Sequence, residues 1–227
     1  MVKQWNVKNI SQKCSVLVIG KRNRGKSTLM VDIFRYIKAP KAIVLSATDK
    51  CSHFYEQYFP EKFIYAEYDQ EILIKLVQSQ KKAVQKNPHM NKSGLLLVID
   101  DTGFDKKFLK SKILSEILMN GRWYNISVVI GVQDAASIPL ALRAQMDYVC
   151  ALSENFKCNQ ERLYNWFFGV YNDFRTFRHA FLTCTSNYGV MVLDNVCKDI
   201  TSEKTIFWYK ANPKVRYRYG SREYQQL

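Results

Sequence analysis

Eight consecutive residues constrain this chain more than any others: Gly20-Lys21-Arg22-Asn23-Arg24-Gly25-Lys26-Ser27, with the spacing G-x-x-x-x-G-K-S. The apolar stretch 14–20 in front of them reads as a buried strand. The stretch 25–37 behind them reads as a helix carrying Leu29, Ile33 and Ile37 on one face. A strand must therefore stop and a helix begin within one short, glycine-bearing turn. Glycine lets the backbone curl so that successive N–H groups converge, and the helix N-terminus adds partial positive charge. A phosphate chain suits that geometry. Gly20, Lys21, Arg22, Asn23, Arg24, Gly25, Lys26, Ser27 and Thr28 would form the cradle. Lys26 can reach the β- and γ-phosphates, Ser27 can offer its hydroxyl to Mg²⁺, and Thr28 would lie near the α-phosphate. Arg22 and Arg24 could touch nucleotide or a neighbouring subunit, or stay solvated.

The rest of the chain repeats the same alternation. Apolar runs at 42–47, 95–99, 126–132 and 148–152 read as buried strands, a weaker one at 63–68 as another, and 190–193 and 205–209 as late strands. Between them, 70–86, 106–119, 140–146, 154–168 and 173–184 read as helices. Buried strands separated by helices predict an α/β fold: a mostly parallel central sheet flanked by helices on both faces. The chain has 227 residues, which suits one nucleotide-binding domain over 1–212 followed by a basic aromatic tail over 213–227. The stretch 86–92 is the one other plausible linker.

Leu95-Leu96-Leu97-Val98-Ile99-Asp100-Asp101 is the companion motif. It delivers two carboxylates at the C-terminal end of a buried strand, the edge where α/β sheets bind ligands. Asp100 would hold Mg²⁺ directly or through water. Side chains alternate along a strand, so Asp101 would point the other way, placed to orient or deprotonate an attacking water.

The run 126–132 ends in Gln133-Asp134. If it lies between the two motif strands, Gln133 would face the γ-phosphate and could sense it without adding charge. Arg122 precedes this run and Arg143 follows it. In a ring either could present a guanidinium to a neighbour's nucleotide, where it would stabilise transition-state charge.

These pieces together resemble the FtsK–HerA superfamily of P-loop ATPases, and most of all its poxvirus-type genome-packaging branch. The resemblance rests on 20–28, on 95–101, on Arg122 through Gln133 and Asp134, and on Pro139, Arg143 and Asp147. A weaker echo runs from Phe181 through Thr185 to Tyr188–Asp194, so most of 14–195 is covered. The first two motifs are generic to P-loop proteins; the arginine–strand–glutamine block is the specific one. The resemblance implies a P-loop NTPase fold of the ASCE type, and an ATP- and Mg²⁺-dependent motor. It implies an oligomeric ring that moves double-stranded DNA into a capsid, with Gln133 as sensor and Arg122 acting in trans. A capsid or portal component is the implied further partner. Many relatives in the wider superfamily carry Glu where this chain has the shorter Asp101. No separate DNA-gripping domain is visible.

Charge agrees with a polyanionic partner. The net charge is +14 and the isoelectric point about 9.5, which makes nucleic acid the first candidate. From Lys204 to Leu227 six Lys/Arg face one acid, Glu223, so +5 of the excess lies there. Lys214, Arg216 and Arg218 alternate with Val215, Tyr217 and Tyr219. An extended chain would put the cations on one side and the rings on the other, able to track a phosphate backbone; an edge strand or a frayed tail is the plainer alternative. Lys106, Lys107 and Lys110 form a second basic group on the expected helix 106–119, with Lys106 and Lys110 sharing a face. The aromatic group from Tyr164 to Phe177 reads as core or subunit interface.

Six cysteines without a CxxC pair or a histidine cluster argue against a zinc site and suit a reducing compartment. The polar start shows no signal peptide and no apolar run approaches ~18 residues, so no membrane span is expected. With the resemblance, this places the protein in the host cytoplasm at the viral assembly site, in the virion, or both. Two other readings stay open: a P-loop nucleoside or nucleotide kinase, which needs no DNA, and a basic DNA-binding assembly protein that uses nucleotide as a switch without turnover.

Overall fold

The computed structural model describes residues 2–101, 106–198 and 201–227, and the side chain of Lys106 lies outside the described set. Among the described residues nine strands form one sheet in the order β1-β9-β8-β7-β2-β6-β5-β3-β4. They are β1 (Lys3–Gln4), β2 (Ser15–Ile19), β3 (Lys41–Ser46), β4 (Ile64–Tyr65), β5 (Leu95–Asp100), β6 (Ile126–Val132), β7 (Tyr148–Ala151), β8 (Gly189–Asp194) and β9 (Ile206–Lys210). The six from β7 to β4 are parallel; β8 is reversed against both neighbours, and β1 pairs parallel with β9. The expected α/β architecture is therefore the observed one.

Each central strand is buried along its whole length, and its alternate residues feed two separate cores. Leu17 and Ile19 of β2, Leu95, Leu97 and Ile99 of β5, and Val128, Ile130 and Val132 of β6 pack on one face. There they meet helices Gln70–Lys86, Lys112–Asn120, Lys157–Trp166 and Phe174–Cys184. Val16, Val18, Leu96, Val98 and Val129 point to the other face, against helix Lys26–Phe34 and the aromatic group Tyr55, Phe59, Tyr219 and Tyr224. This period of two decides the site, because Asp100 continues the series 96, 98 and so emerges on the side of helix Lys26–Phe34.

Three expectations change. The single helix 106–119 is two, Lys106–Leu109 and Lys112–Asn120. Ser111 stops the first and caps the second, its Oγ accepting the N–H of Leu114 at 3.3 Å. Lys110 consequently sits in a turn; the expected face shared with Lys106 involves a side chain outside the described residues. The expected strand 63–68 shrinks to Ile64–Tyr65. The segment 213–221 contains no strand, and it is no frayed tail either. Val215 is buried, and Tyr219 and Tyr224 are buried in the second core. The Tyr219 hydroxyl donates to the carbonyl of Ile37 at 2.6 Å, and that of Tyr224 to the carbonyl of Ala42 at 2.9 Å. The alternation itself survives: Lys214, Arg216 and Arg218 face outward, opposite the buried rings.

Among the described residues no helix is long and apolar enough to cross a membrane.

Candidate nucleotide site

Strand β2 is followed by Gly20, whose Cα lies so close to Leu152 that a Cβ there would collide with the leucine side chain. The turn that follows passes through Asn23 at φ +60° and Gly25 at φ +88°. Gly25 is the N-cap of helix Lys26–Phe34, and no side chain caps it. The orphan N–H groups of a first helical turn are thus left to a ligand, as anion-binding helix starts require. The helix is held from its far side. Asp32, fully buried, accepts from the Tyr209 hydroxyl at 2.5 Å and from the backbone N–H of Asn212 at 3.1 Å, and pairs with Arg35 at 2.8 Å.

Three predicted residues converge at the head of this helix. The Lys26 ammonium donates to Asp100 Oδ1 in a buried ion pair, and Ser27 Oγ donates to Asp100 Oδ2 at 3.2 Å. A lone buried carboxylate would be costly, and these donors offset that cost. The convergence depends on a residue the motif reading passed over. Gly131 of β6 is in register with Asp100, and a Cβ there would strike Asp100 Oδ1 and the sulfur of Met30. Glycine makes the space that the carboxylate fills.

Two tyrosines also bear on Asp100, and neither was foreseen. The Tyr55 hydroxyl donates to Asp100 Oδ2 at 2.7 Å, and the Tyr68 hydroxyl to the Asp100 carbonyl at 2.5 Å. Both come from the stretch between β3 and helix Gln70–Lys86, where no motif marks a tyrosine as a partner of Asp100.

Asp101 leaves the strand in the left-handed region, at φ +61°. Its Oδ1 accepts from Gln133 Nε2 at 2.5 Å. Since β6 lies between β2 and β5, Gln133 stands at the strand edge between the phosphate loop and the acidic pair, as the sequence suggested.

Lys21 is turned aside. Its ammonium pairs with Glu154 at 2.7 Å and lies 4.0 Å from the ring centroid of Phe156. Burial pushes the Glu154 carboxyl up, but hydrogen bonds from Lys21, the Phe156 N–H and Asn159 outweigh it and hold the group below its ordinary range. Of the loop cations, Arg22 is exposed and Arg24 half-buried. Thr28 is half-buried in the first helical turn. The exposed ring of Tyr188 lies over Gly25, 3.7 Å from where a Cβ would stand.

The arginines are elsewhere. Arg122 pairs with Asp147, which also accepts the Ser15 N–H at 2.8 Å. Both mark the N-terminal edge of the parallel strands, a strand length of roughly 17–20 Å from the phosphate loop. Arg122 does not reach its own chain's site, and its side chain is 63% exposed. Arg143 stacks 3.7 Å from the Trp166 ring centroid while its Nε donates to the Ile138 carbonyl at 2.9 Å. Lys107 and Lys110 are exposed.

The placement of β6 between the phosphate-loop strand and the acidic strand assigns the class, a P-loop NTPase of the additional-strand type. Within that class the sequence is decisive. Residues 3–164 match the family described as Poxvirus A32 protein, and the chain belongs to that family of viral genome-packaging ATPases. Its relatives are viral. It is 30% identical to the uncharacterized protein L437 of Acanthamoeba polyphaga mimivirus, over 94% of this chain and 78% of that protein. It is 32% identical to the uncharacterized protein 075L of Invertebrate iridescent virus 6, over 92% and 82%. The fold is shared with the genome packaging NTPase B204 of Sulfolobus turreted icosahedral virus 2 in complex with AMPPCP. There the TM-score is 0.65 at 13% identity, over 89% of this chain and 99% of that one. It is shared too with the pCW3 conjugation coupling protein TcpA with ATPγS, at a TM-score of 0.61 and 12% identity, over 95% and 63%.

Proposed function

We propose that this chain hydrolyses ATP to drive double-stranded DNA into a viral capsid, as one subunit of an oligomeric ring. The observation that carries the hydrolytic part is the contact of Gln133 with Asp101 beside the Lys26–Ser27–Asp100 cluster. A kinase needs an acceptor pocket at that position; a hydrolase needs a base and a group that senses phosphate.

The donors fit a small hard cation: a hydroxyl and a carboxylate, oxygen only, 3.2 Å apart. Ser27 and Asp100 would hold Mg²⁺, which when bound offsets charge on the β- and γ-phosphates. Lys26 exchanges Asp100 for phosphate oxygens. The backbone of residues 20–28 wraps the phosphate chain. Asp101, released from Gln133, takes a proton from the attacking water, while Gln133 orients that water or the γ-phosphate. Arg122, which pairs with Asp147 at the opposite edge of the sheet, would serve the neighbour's nucleotide if subunits pack head to tail; Arg143, stacked on Trp166, is the alternative. Lys107, Lys110, Lys214, Arg216 and Arg218, with Lys106, are the candidate contacts to DNA phosphates. The B204 structure is of a genome packaging NTPase and the relatives are viral, which supports action at the viral assembly site with a capsid or portal partner.

The test is steady-state ATP hydrolysis with and without double-stranded DNA across a salt series. Turnover that rises with DNA and fades with salt supports the motor. Turnover indifferent to DNA but raised by a nucleoside would make the chain a kinase, and binding without turnover would make it a switch. Lys26→Ala should abolish hydrolysis. Asp101→Asn should keep ATP binding and lower kcat by about 10²–10⁴-fold; equal turnover of the two proteins would remove Asp101 from the mechanism.

A further inference from the structure

We propose that Tyr55 is the positioning residue that keeps Asp100 in its metal-holding orientation once nucleotide has drawn the other donors away. The inference rests on the ATPase reading above.

Among the described residues Asp100 has three side-chain donors: Lys26 on Oδ1, and Ser27 and Tyr55 on Oδ2. Two of these have other work. Lys26 and Ser27 belong to the phosphate loop, and their head groups are the ones that turn to phosphate and metal when a nucleotide arrives. Tyr55 lies outside the phosphate loop and is held by the core. It is 2% exposed, and its ring packs edge-on against Phe54 at 5.1 Å and tilted against Phe59 at 6.3 Å. Its hydroxyl stands 3.9 Å from the sulfur of Met30, on helix Lys26–Phe34.

The backbone is pinned as well. The Tyr55 N–H donates to Asp49 Oδ1 at 2.8 Å, and Asp49 is itself buried. From Asp49 to Tyr55 to Asp100 runs a relay of two hydrogen bonds that does not pass through the phosphate loop. The Tyr68 hydroxyl fixes the Asp100 carbonyl from the side, so the Asp100 main chain is held separately and the Tyr55 hydroxyl acts on the carboxylate alone.

Tyr55→Phe removes the hydroxyl and keeps the ring packing. ATP binding would be measured by calorimetry with EDTA and with a Mg²⁺ titration, alongside turnover and the melting temperature. Wild type should bind ATP more tightly as Mg²⁺ is added. In Tyr55→Phe, binding in EDTA should match wild type within about twofold, while the Mg²⁺ needed for half-maximal tightening should rise roughly 10–100-fold, the range for loss of a group that orients a metal-holding carboxylate. Asp49→Ala, which releases the Tyr55 main chain, should shift the Mg²⁺ requirement in the same direction, and it carries the test if Tyr55→Phe does not fold. An unchanged Mg²⁺ requirement in whichever of the two variants folds overturns the proposal, even with a lowered melting temperature. A wild-type protein whose ATP binding ignores Mg²⁺ overturns the ATPase reading itself, and this inference with it.

Discussion

At the residue scale the site is a set of competing partners for two aspartates. Asp100 is shared by Lys26, Ser27 and Tyr55, and Asp101 is held by Gln133. The motif residues were legible because their spacing is fixed by phosphate geometry. Tyr55 and Glu154 were not, since each acts through a tertiary contact with a partner 45 or 133 positions away. The Lys21–Glu154 pair gives a pH prediction. Glu154 is depressed below its ordinary 4.5 in the folded chain. Its contribution to stability is therefore complete above about pH 4.5 and is lost as pH falls through the lower folded value. Melting temperature followed from pH 7 to pH 3 should fall less steeply below pH 4.5 for Glu154→Gln than for wild type. Parallel curves would show that the pair adds nothing.

At the element scale the informative strand is β6. Its apolar run fixed its bounds in the sequence at 126–132, and the structure agrees. What the run could not convey is why residue 131 is glycine, because a glycine inside a strand pattern carries no record of what approaches it. The Asp100 carboxylate and Met30 occupy the space. Gly131→Ala should cost about 1–3 kcal/mol by overpacking and displace Asp100, so hydrolysis should be lost while the sheet still forms. A stable, fully active Gly131→Ala protein would show that the carboxylate has room to move. The helix 106–119 misled for a related reason: its periodicity is continuous, and the cap at Ser111, whose Oγ accepts the Leu114 N–H, divides it.

At the scale of the whole molecule the last fifteen residues belong to the domain. Tyr224 stacks on Phe63 at 4.6 Å between ring centroids, and Tyr219 lies 5.4 Å from Phe59. Ending the chain at residue 212 would uncover the core behind helix Lys26–Phe34, and the loss of buried aromatics should cost at least ~3–5 kcal/mol. The truncated chain should therefore melt far earlier than the full one, or fail to fold; an unchanged melt would make 213–227 a dispensable tail. The outward cations are separable from that role. Lys38, Lys214, Arg216 and Arg218 line one surface groove. Replacing Arg216 and Arg218 by Ala should leave the melt within a few degrees of wild type while lowering the slope of log K for DNA against log salt by about two. An unchanged slope would move the DNA contact to another face.

By itself the sequence determined the class of the fold and the ends of its central strands, because buried parallel strands and a phosphate-binding turn need particular residue types at particular spacings. It also placed Lys26, Ser27, Asp100, Asp101 and Gln133 at one sheet edge, since strand polarity and the period of two leave few alternatives. Only the tertiary structure decided what holds those groups still and where the C-terminal rings go. Tyr55 on Asp100, Glu154 on Lys21, Asp147 on Arg122 and the tail against helix Lys26–Phe34 are contacts between segments far apart in the chain. Local spacing carries no information about such contacts; they exist only once the sheet has brought the segments together.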